Sequence, residues 1–404
     1  MNILFYDRLK IGRLITVSTH KYELISNLSK LGHNVALLNA DYPKKAEEIV
    51  CSNPPSVAKG IRGKLLSLRV VRRFRGEIGI LWSFGRDVSL FLSAFVLIIG
   101  KRRNFDIIYR RHSLFNSDYL LARLFRLPLV KEVDGIESAN ARITGFTDNF
   151  SLKIIDRIER FNMPRADKII VVTSKLKETL QKDYGVPRDK IVVIPNGANT
   201  ELFKPMNTKQ ARKQLKLTKA GHLVIFVGDL VAWHGVDHLI KSIPYVVKEC
   251  PSTSFLIVGD GMMRQELVEL GRQVGVSDKA IFTGMVPYHQ VPLYINASVV
   301  CVAPFVAHRG EKVGLSPLKI HEYMACEKPV VASRVSGLEI LEDNNAGILV
   351  EPESPPELAQ AILRLLHSKE LREQMGKNGR KYAVENRSWE SVAGRVAEVL
   401  EETC

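Results

Sequence analysis

Residues Gly314–Ser333 read GLSPLKIHEYMACEKPVVAS, and within this segment a helix start, two opposite charges and a buried strand follow one another. Ser316 before Pro317 is a helix-start signature: the serine oxygen can cap exposed amides, and proline at the first helical position has no N–H to lose. The helix is therefore predicted to begin at 317. Its free N–H groups and the positive end of its dipole favour an anion by about 0.3–1 kcal/mol, and up to ~2 kcal/mol when partly buried. Lys319 and Glu322 share one helix face and lean toward that end. The lysine can balance phosphate charge, while an acceptor-only carboxylate suits paired sugar hydroxyls. Phosphate plus diol points to a nucleotide. The competing reading of the same spacing is an ordinary i,i+3 surface ion pair.

Working outward, short apolar runs rich in β-branched residues alternate with helical patterns. ILFY, NVALL, DIIY, LPLVKEV, KIIVV and KIVVI are separated by helices near 19–31, 116–126, 151–162 and 174–183. After PNGANTELFKP the rhythm restarts with HLVIFVG, SFLIVG, AIFTG, SVVCVAP and PVVAS, with helices at 235–248, 263–273 and near 288–294. Strands buried on both sides lose polar alternation, so this is an α/β chain with two doubly wound parallel sheets. The turn-rich stretch from Pro195 to Pro205 marks the hinge, giving domains 1–200 and 201–387. The last helix, within 388–404, is expected to return to the first domain. Two such domains leave a cleft at the carboxyl ends of their strands, where open α/β sheets bind ligands.

The net charge of +15 is one-sided. Lys and Arg outnumber Asp and Glu by 34 to 19 over residues 1–200 and stand at 24 to 24 over 201–404. The first half therefore expects an anionic partner such as a phospholipid surface, a lipid diphosphate or nucleic acid. In 61–75, six basic residues interleave with Leu65, Leu68, Val71 and Phe74, which suits an interfacial amphipathic helix or a solvated basic face. The apolar run 88–99 is too short for a bilayer span of about 20 residues and reads as a core helix or a membrane-touching one. The start MNILFYDRLK is a charged strand, not a leader, so a cytosolic location is expected. Five scattered cysteines without a C-x-x-C pair argue against a disulfide framework or zinc site and read as core filler.

HEYMACEKPVVASRVSGLEIL and AGILVEP resemble the donor-binding segment of retaining glycosyltransferases of family 4, which have the two-domain GT-B fold. FVGDLVAWHGVDHLI, FLIVGDGMMRQEL, IFTGMVPYHQVPLYINASVVCVAP, ADKIIVVTSKLKETL and IVVIPNGANTELFKP match in order over about 165–365. Several spaced motifs in order are far more specific than any one. The resemblance implies transfer of a sugar from a nucleotide sugar, the donor in the second domain and a lipid-linked or glycan acceptor in the first. It places Glu322 on the ribose, the amides of Gly314, Leu315 and Ser316 on the diphosphate, and the turn Gly284, Met285, Val286 beside the base. Gly259 and Gly261 would allow close backbone approach, as any strand-to-helix turn does. With no D-x-D in the chain, no carboxylate-held metal is indicated, and no cofactor is expected.

The chain also departs from the family pattern. The first Glu of E-x(7)-E falls on Gly314, with Glu311 three residues too early. The pattern G-R-x(4)-K-G becomes Gly228-Asp229 with His234-Gly235, so Lys319, helped by Arg309, is the expected replacement cation, with His234 donating to phosphate or serving only as loop packing beside Trp233. On the acceptor side, Gly12 follows the first strand, and His112 and Asp134 follow later ones, where substrate-facing residues belong. Arg110 and Arg111 are expected to meet an anionic acceptor, while His112 reads equally as a structural histidine. Three functions follow: a glycosyltransferase peripheral at the inner membrane face, a degenerate nucleotide-sugar-binding scaffold, and a nucleic-acid binder. The last lacks any recognition motif, so nucleic acid is not the expected partner.

Overall fold

The computed structural model describes residues 1–6, 15–37, 75–100, 104–144, 148–217, 221–309 and 311–404. They divide into two compact units, one of Met1–Ile194 with Ala393–Cys404, the other of Pro195–Val392. Gly12 and the basic segment 61–74 lie outside the described residues.

In the first unit, β1 (Asn2–Phe5), β2 (Asn34–Leu37), β3 (Ile107–Arg111), β4 (Leu129–Val133), β5 (Lys168–Val171) and β6 (Ile191–Val193) form one parallel sheet, ordered β2-β1-β3-β4-β5-β6. Its helices are α1 (Ile15–Lys30), α2 (Arg75–Gly100), α3 (Ser117–Phe125), α4 (Glu137–Thr144), α5 (Asn149–Asn162) and α6 (Ser174–Tyr184). Local chemistry sets these starts. Asp148 accepts the amides of Phe150 and Ser151 to cap α5, and Thr173 accepts that of Leu176 at 3.0 Å to cap α6.

The second sheet holds β7 (Leu223–Val227), β8 (Ser254–Val258), β9 (Ala280–Gly284), β10 (Val300–Ala303), β11 (Val330–Ser333) and β12 (Gly347–Val350). Its order, β12-β11-β10-β7-β8-β9, is wholly parallel and reverses direction between β7 and β10. Helices α7 (Thr208–Gln214), α8 (Val236–Glu249), α9 (Arg264–Gln273), α10 (Val291–Ala297), α11 (Leu318–Ala325), α12 (Ile340–Asp343), α13 (Pro355–His367) and α14 (Lys369–Arg387) complete it. The final helix, α15, spans Trp389–Thr403, and its residues from Ala393 onward belong to the first unit, where Arg395 donates to the Val193 carbonyl at 2.7 Å.

The continuous apolar runs have a direct cause. Along β7, Leu223 and Ile225 enter one hydrophobic core while Val224 and Phe226 enter another; along β8, Leu256 and Val258 part from Phe255 and Ile257 in the same way. Both faces of the sheet are covered at these positions, so the runs lose polar alternation.

Several sequence expectations change. The helix of the opening segment begins at Leu318, with Pro317 in extended conformation at its N-cap and no side-chain cap. Ser316 is committed elsewhere: its hydroxyl accepts the Asn196 amide at 3.0 Å, and its carbonyl accepts the Asn196 side chain at 2.6 Å. The run 88–99 is a core helix on one side only. Leu90 and Ala94 of α2 are buried, but Val88, Leu92, Val96 and Ile99 are exposed, Val96 by 66%. The predicted helix near 288–294 is a 3-10 turn at Tyr288–Gln290 leading into α10. Among the cysteines, Cys301 and Cys326 are core filler as expected, whereas Cys404 is exposed.

Arg110 is the largest correction in the first unit. It is buried rather than facing an acceptor, bridging Asp87 and Asp118, the latter at 3.2 Å, and its guanidinium lies 4.9 Å from the Tyr6 ring centre. Lys131 reaches the other Asp118 oxygen at 3.2 Å. Burial pushes the Asp118 carboxyl up, yet Lys131 and Arg110 together hold it below the usual range. Removing one partner strands a buried charge, a loss of about 3–5 kcal/mol. Arg110→Ala should therefore lower the urea midpoint of the first unit's unfolding, measured by chemical denaturation; an unchanged midpoint would show that the network adds nothing.

Candidate functional site

The reversal between β7 and β10 brings two strand ends side by side with α11. Phe226 lies at the end of β7 and Phe305 just beyond β10. Lys319, in the first turn of α11, is only 8% exposed, and its Nζ sits 4.2 Å from the Phe226 ring centre and 5.3 Å from that of Phe305. Among the described residues that amine has no hydrogen-bond partner. Burial lowers it to about 7, against the opposing pull of Asp229 and Glu322. The competing reading, an i,i+3 ion pair with Glu322, is not what forms: no salt bridge joins the two side chains. Glu322, itself buried, accepts from the Tyr288 hydroxyl at 3.0 Å, and the Tyr288 ring packs 5.3 Å from that of Phe203.

Glycine makes room for this arrangement. Gly228 has φ +145°, and a Cβ there would fall 2.5 Å from Lys319 Nζ. Gly259 has φ +138°, and a Cβ there would meet the Gly228 carbonyl at 2.0 Å. Both positions demand glycine on conformation and on space. The loops after β7 and β8 thus lie backbone to backbone, with the Gly228 amide donating to the Val258 carbonyl and the Leu230 amide to the Asp260 carbonyl, each at 2.9 Å. Gly261 packs on Leu230 in the same manner. Of the base-side turn, Gly284 has φ +72°, Val286 packs on the core, and Met285 is 60% exposed.

The loop before α11 behaves differently from expectation at one amide. Leu315 N–H donates to the Ser336 carbonyl at 2.7 Å and is not available to a ligand, while the amides of Gly314, with φ +68°, and Ser316 carry no such bond among the described residues. His234 is fixed by Nδ1, which donates to the Asp229 carbonyl at 2.6 Å, and its ring stands edge-on 5.5 Å from Phe305 and tilted 6.0 Å from Phe226. A neutral His234 therefore presents Nε2 as an acceptor, and it donates to phosphate only as the imidazolium. Arg309 closes a short 3-10 turn, Ala307–Arg309, and its side chain is outside the described set.

Known proteins share this architecture and its sequence. Residues 207–382 match the family model described as glycosyl transferases group 1, and 17–202 match glycosyltransferase family 4. An uncharacterized glycosyltransferase of Methanocaldococcus jannaschii is 30% identical over 284 residues, covering 69% of this chain and 70% of that one. The chain belongs to the group 1 glycosyltransferases of family 4 type. Alpha-D-kanosaminyltransferase of Streptomyces kanamyceticus is 26% identical over 351 residues, 82% of this chain and 88% of the relative. Among solved structures, Anabaena HepE in complex with UDP superposes over 100% of both chains with a TM-score of 0.70 at 19% identity, a likeness of GT-B fold.

In this glycosyltransferase the first-unit candidates are more tied down than their positions after strands suggest. His112 follows β3 with its ring buried; Nε2 lies 3.4 Å from Glu159, which also accepts the amides of Glu137 at 2.7 Å and Ser138 at 3.1 Å. Arg111 pairs with Asp134. Burial raises the Asp134 carboxyl, but Arg111 holds it below the ordinary range. Among the described residues no group of three His, Cys, Asp or Glu is placed to hold a metal. Sequence reasoning missed Phe226, Phe305 and Tyr288. Phe226 sits inside an apolar strand run, Phe305 follows another, and Tyr288 stands at the start of the helix expected near 288–294, so none was marked as a site residue by a motif.

The seat of Lys319 implies a stability cost. A base whose folded value lies below its unfolded value costs most while protonated, so the cost is full below about 7 and fades as pH rises toward the ordinary 10.5. Lys319→Met, which keeps the stem and removes the amine, should raise Tm by roughly 5 °C at pH 6 and by less at pH 9. Calorimetry at both values checks this, and an equal or lower Tm at pH 6 refutes it.

Proposed function

We propose that this glycosyltransferase transfers a sugar, with retention of anomeric configuration, from a nucleoside-diphosphate sugar to a hydroxyl of a lipid-linked or glycan acceptor at the cytosolic membrane face. The second unit binds the donor and the first unit the acceptor. The carrying observation is the placement of buried Lys319 and Glu322 on α11 where β7 and β10 diverge, the position at which open α/β sheets take ligands. Anabaena HepE, a fold relative, was solved with UDP and with UDP-glucose, which supports a nucleotide sugar as the donor class.

Breaking the bond from the anomeric carbon to the diphosphate oxygen builds negative charge on the leaving group and positive charge on the sugar. Lys319 and the amides before α11 stabilise the first. The acceptor hydroxyl forms the new bond on the same face, and its proton passes to the departing phosphate oxygen, so no strong protein base is needed. His112 and Asp134, held by Glu159 and Arg111, act in this reading as orienting groups. Glu322 takes the ribose hydroxyls, its carboxylate steadied by Tyr288. The lysine and the helix end do the work a divalent metal would do, and the reaction is metal-independent.

Glu322→Ala should lower kcat/KM at least tenfold, about 1.4 kcal/mol, with wild-type turnover undiminished in excess chelator. A panel of nucleotide sugars, first screened by thermal shift, supplies the donor. Intact turnover in the variant removes Glu322 from the site; activity restored only by magnesium or manganese ends the metal-independent reading. Slow hydrolysis of the donor without acceptor separates an enzyme from a binding scaffold.

The membrane assignment draws on the one-sided charge and on the exposed apolar row of α2, beside which Leu120 and Leu124 of α3 are also exposed. No described helix is long and apolar enough to cross a membrane. Leu92→Glu with Val96→Glu should abolish co-sedimentation with phosphatidylglycerol vesicles; retention equal to wild type would count against this face.

A further inference from the structure

Lys319 is held in a way that a permanent cation would not tolerate. Its Nζ lies over Phe226 and Phe305, the His234 ring packs against the same two rings, and the amine has no hydrogen-bond partner among the described residues. The groups facing it are few. From the loop after β7 come Asp229 and His234, the latter spent through Nδ1 on the Asp229 carbonyl. From its own helix comes Glu322, engaged by Tyr288, while the neighbouring Tyr323 hydroxyl accepts the Val227 amide. Neither carboxylate forms an ion pair with Lys319. Attraction between an ammonium and two phenyl faces recovers less than it costs to strip that ammonium of water. This apolar surround therefore favours the neutral amine, in line with the lowering to about 7 caused by burial.

We propose that Lys319 is a proton-accepting anchor for the donor's diphosphate: it rests uncharged against Phe226 and Phe305, and takes a proton onto Nζ as the anion arrives. The inference rests on α11 being the diphosphate seat. Two or more negative charges placed beside a buried amine favour its cation strongly, so binding and proton uptake become one event. The proton comes from solvent, no covalent bond changes, and the ammonium then meets phosphate oxygens instead of aromatic carbon. The replacement of the family's arginine and lysine by Asp229 and His234 fits the same device, because a permanent cation beside Lys319 would hold it neutral after binding as well as before.

The test is calorimetric titration of the full chain with UDP, GDP, ADP and TDP at pH 8, where these ligands are fully ionised, in two buffers of different ionisation enthalpy such as Tris and HEPES. The buffer dependence gives the protons taken up. Close to one proton is expected for wild type, and below about 0.2 for Lys319→Arg and Lys319→Met, the second guarding against misfolding of the first. Wild-type Kd should weaken about tenfold per pH unit from 8 to 9, with a flat profile for Lys319→Arg. Tight binding without uptake, or uptake that survives both substitutions, overturns the proposal while leaving the donor seat intact. Absence of binding by every diphosphate overturns the donor-site reading, and this inference falls with it.

Discussion

An amine with no hydrogen-bond partner among the described residues, pressed on two phenyl rings beside the ends of β7 and β10, is the constraint that sets the site of the second unit. A Cβ at Gly228 would fall 2.5 Å from Lys319 Nζ, and one at Gly259 would meet the Gly228 carbonyl at 2.0 Å, so both glycines adjoin the seat of the amine. Phe226 is shared between the core beneath the sheet and the seat above the strand end. A change at any of these positions moves the amine, so the site's chemistry and the sheet's packing cannot be altered separately.

Family departures that look like losses in the sequence form one connected set in space. Asp229 supplies the carbonyl that fixes His234, and its carboxylate is the first charge to act on Lys319. The His234 ring then closes the aromatic wall. With an arginine at 229 the amine would face repulsion, and with glutamate at 314 the loop could not hold φ +68° without strain. In the proposed reading Lys319 on α11 supplies the cation that the family pattern places in the β7 loop, and the loop residues facing it are Asp229 and His234.

The sequence was informative where one interaction dominated. Strands such as LVIFV and VVAS are read correctly because burial on both faces leaves a single solution. Caps and charges were read less well because each had two possible partners. Ser316 beside Pro317 has the chemistry of an N-cap, but Asn196, 120 residues away, claims its hydroxyl. Lys319 and Glu322 have the spacing of an ion pair, yet aromatic rings from two other strands take one and Tyr288 the other. Arg110 has the position of a substrate contact, and Asp87 and Asp118 from two separate helices bury it. No local pattern encodes these long-range choices.

The two sheets turn the same architecture to opposite electrostatic ends. Beside β3 and β4, Arg110 and Lys131 meet Asp118, Glu132 meets His20 at 2.9 Å, Arg111 meets Asp134 and His112 meets Glu159. Each buried charge there is compensated within the unit, so that sheet end orients and shapes without a standing demand for a counter-ion. At the end of β7 the buried lysine has no such partner among the described residues. An uncompensated buried base is tolerated when its neutral form is accessible and when a ligand of opposite charge repays the burial on arrival. The proposed anion seat at α11 of the second unit rests on this asymmetry as well as on family resemblance.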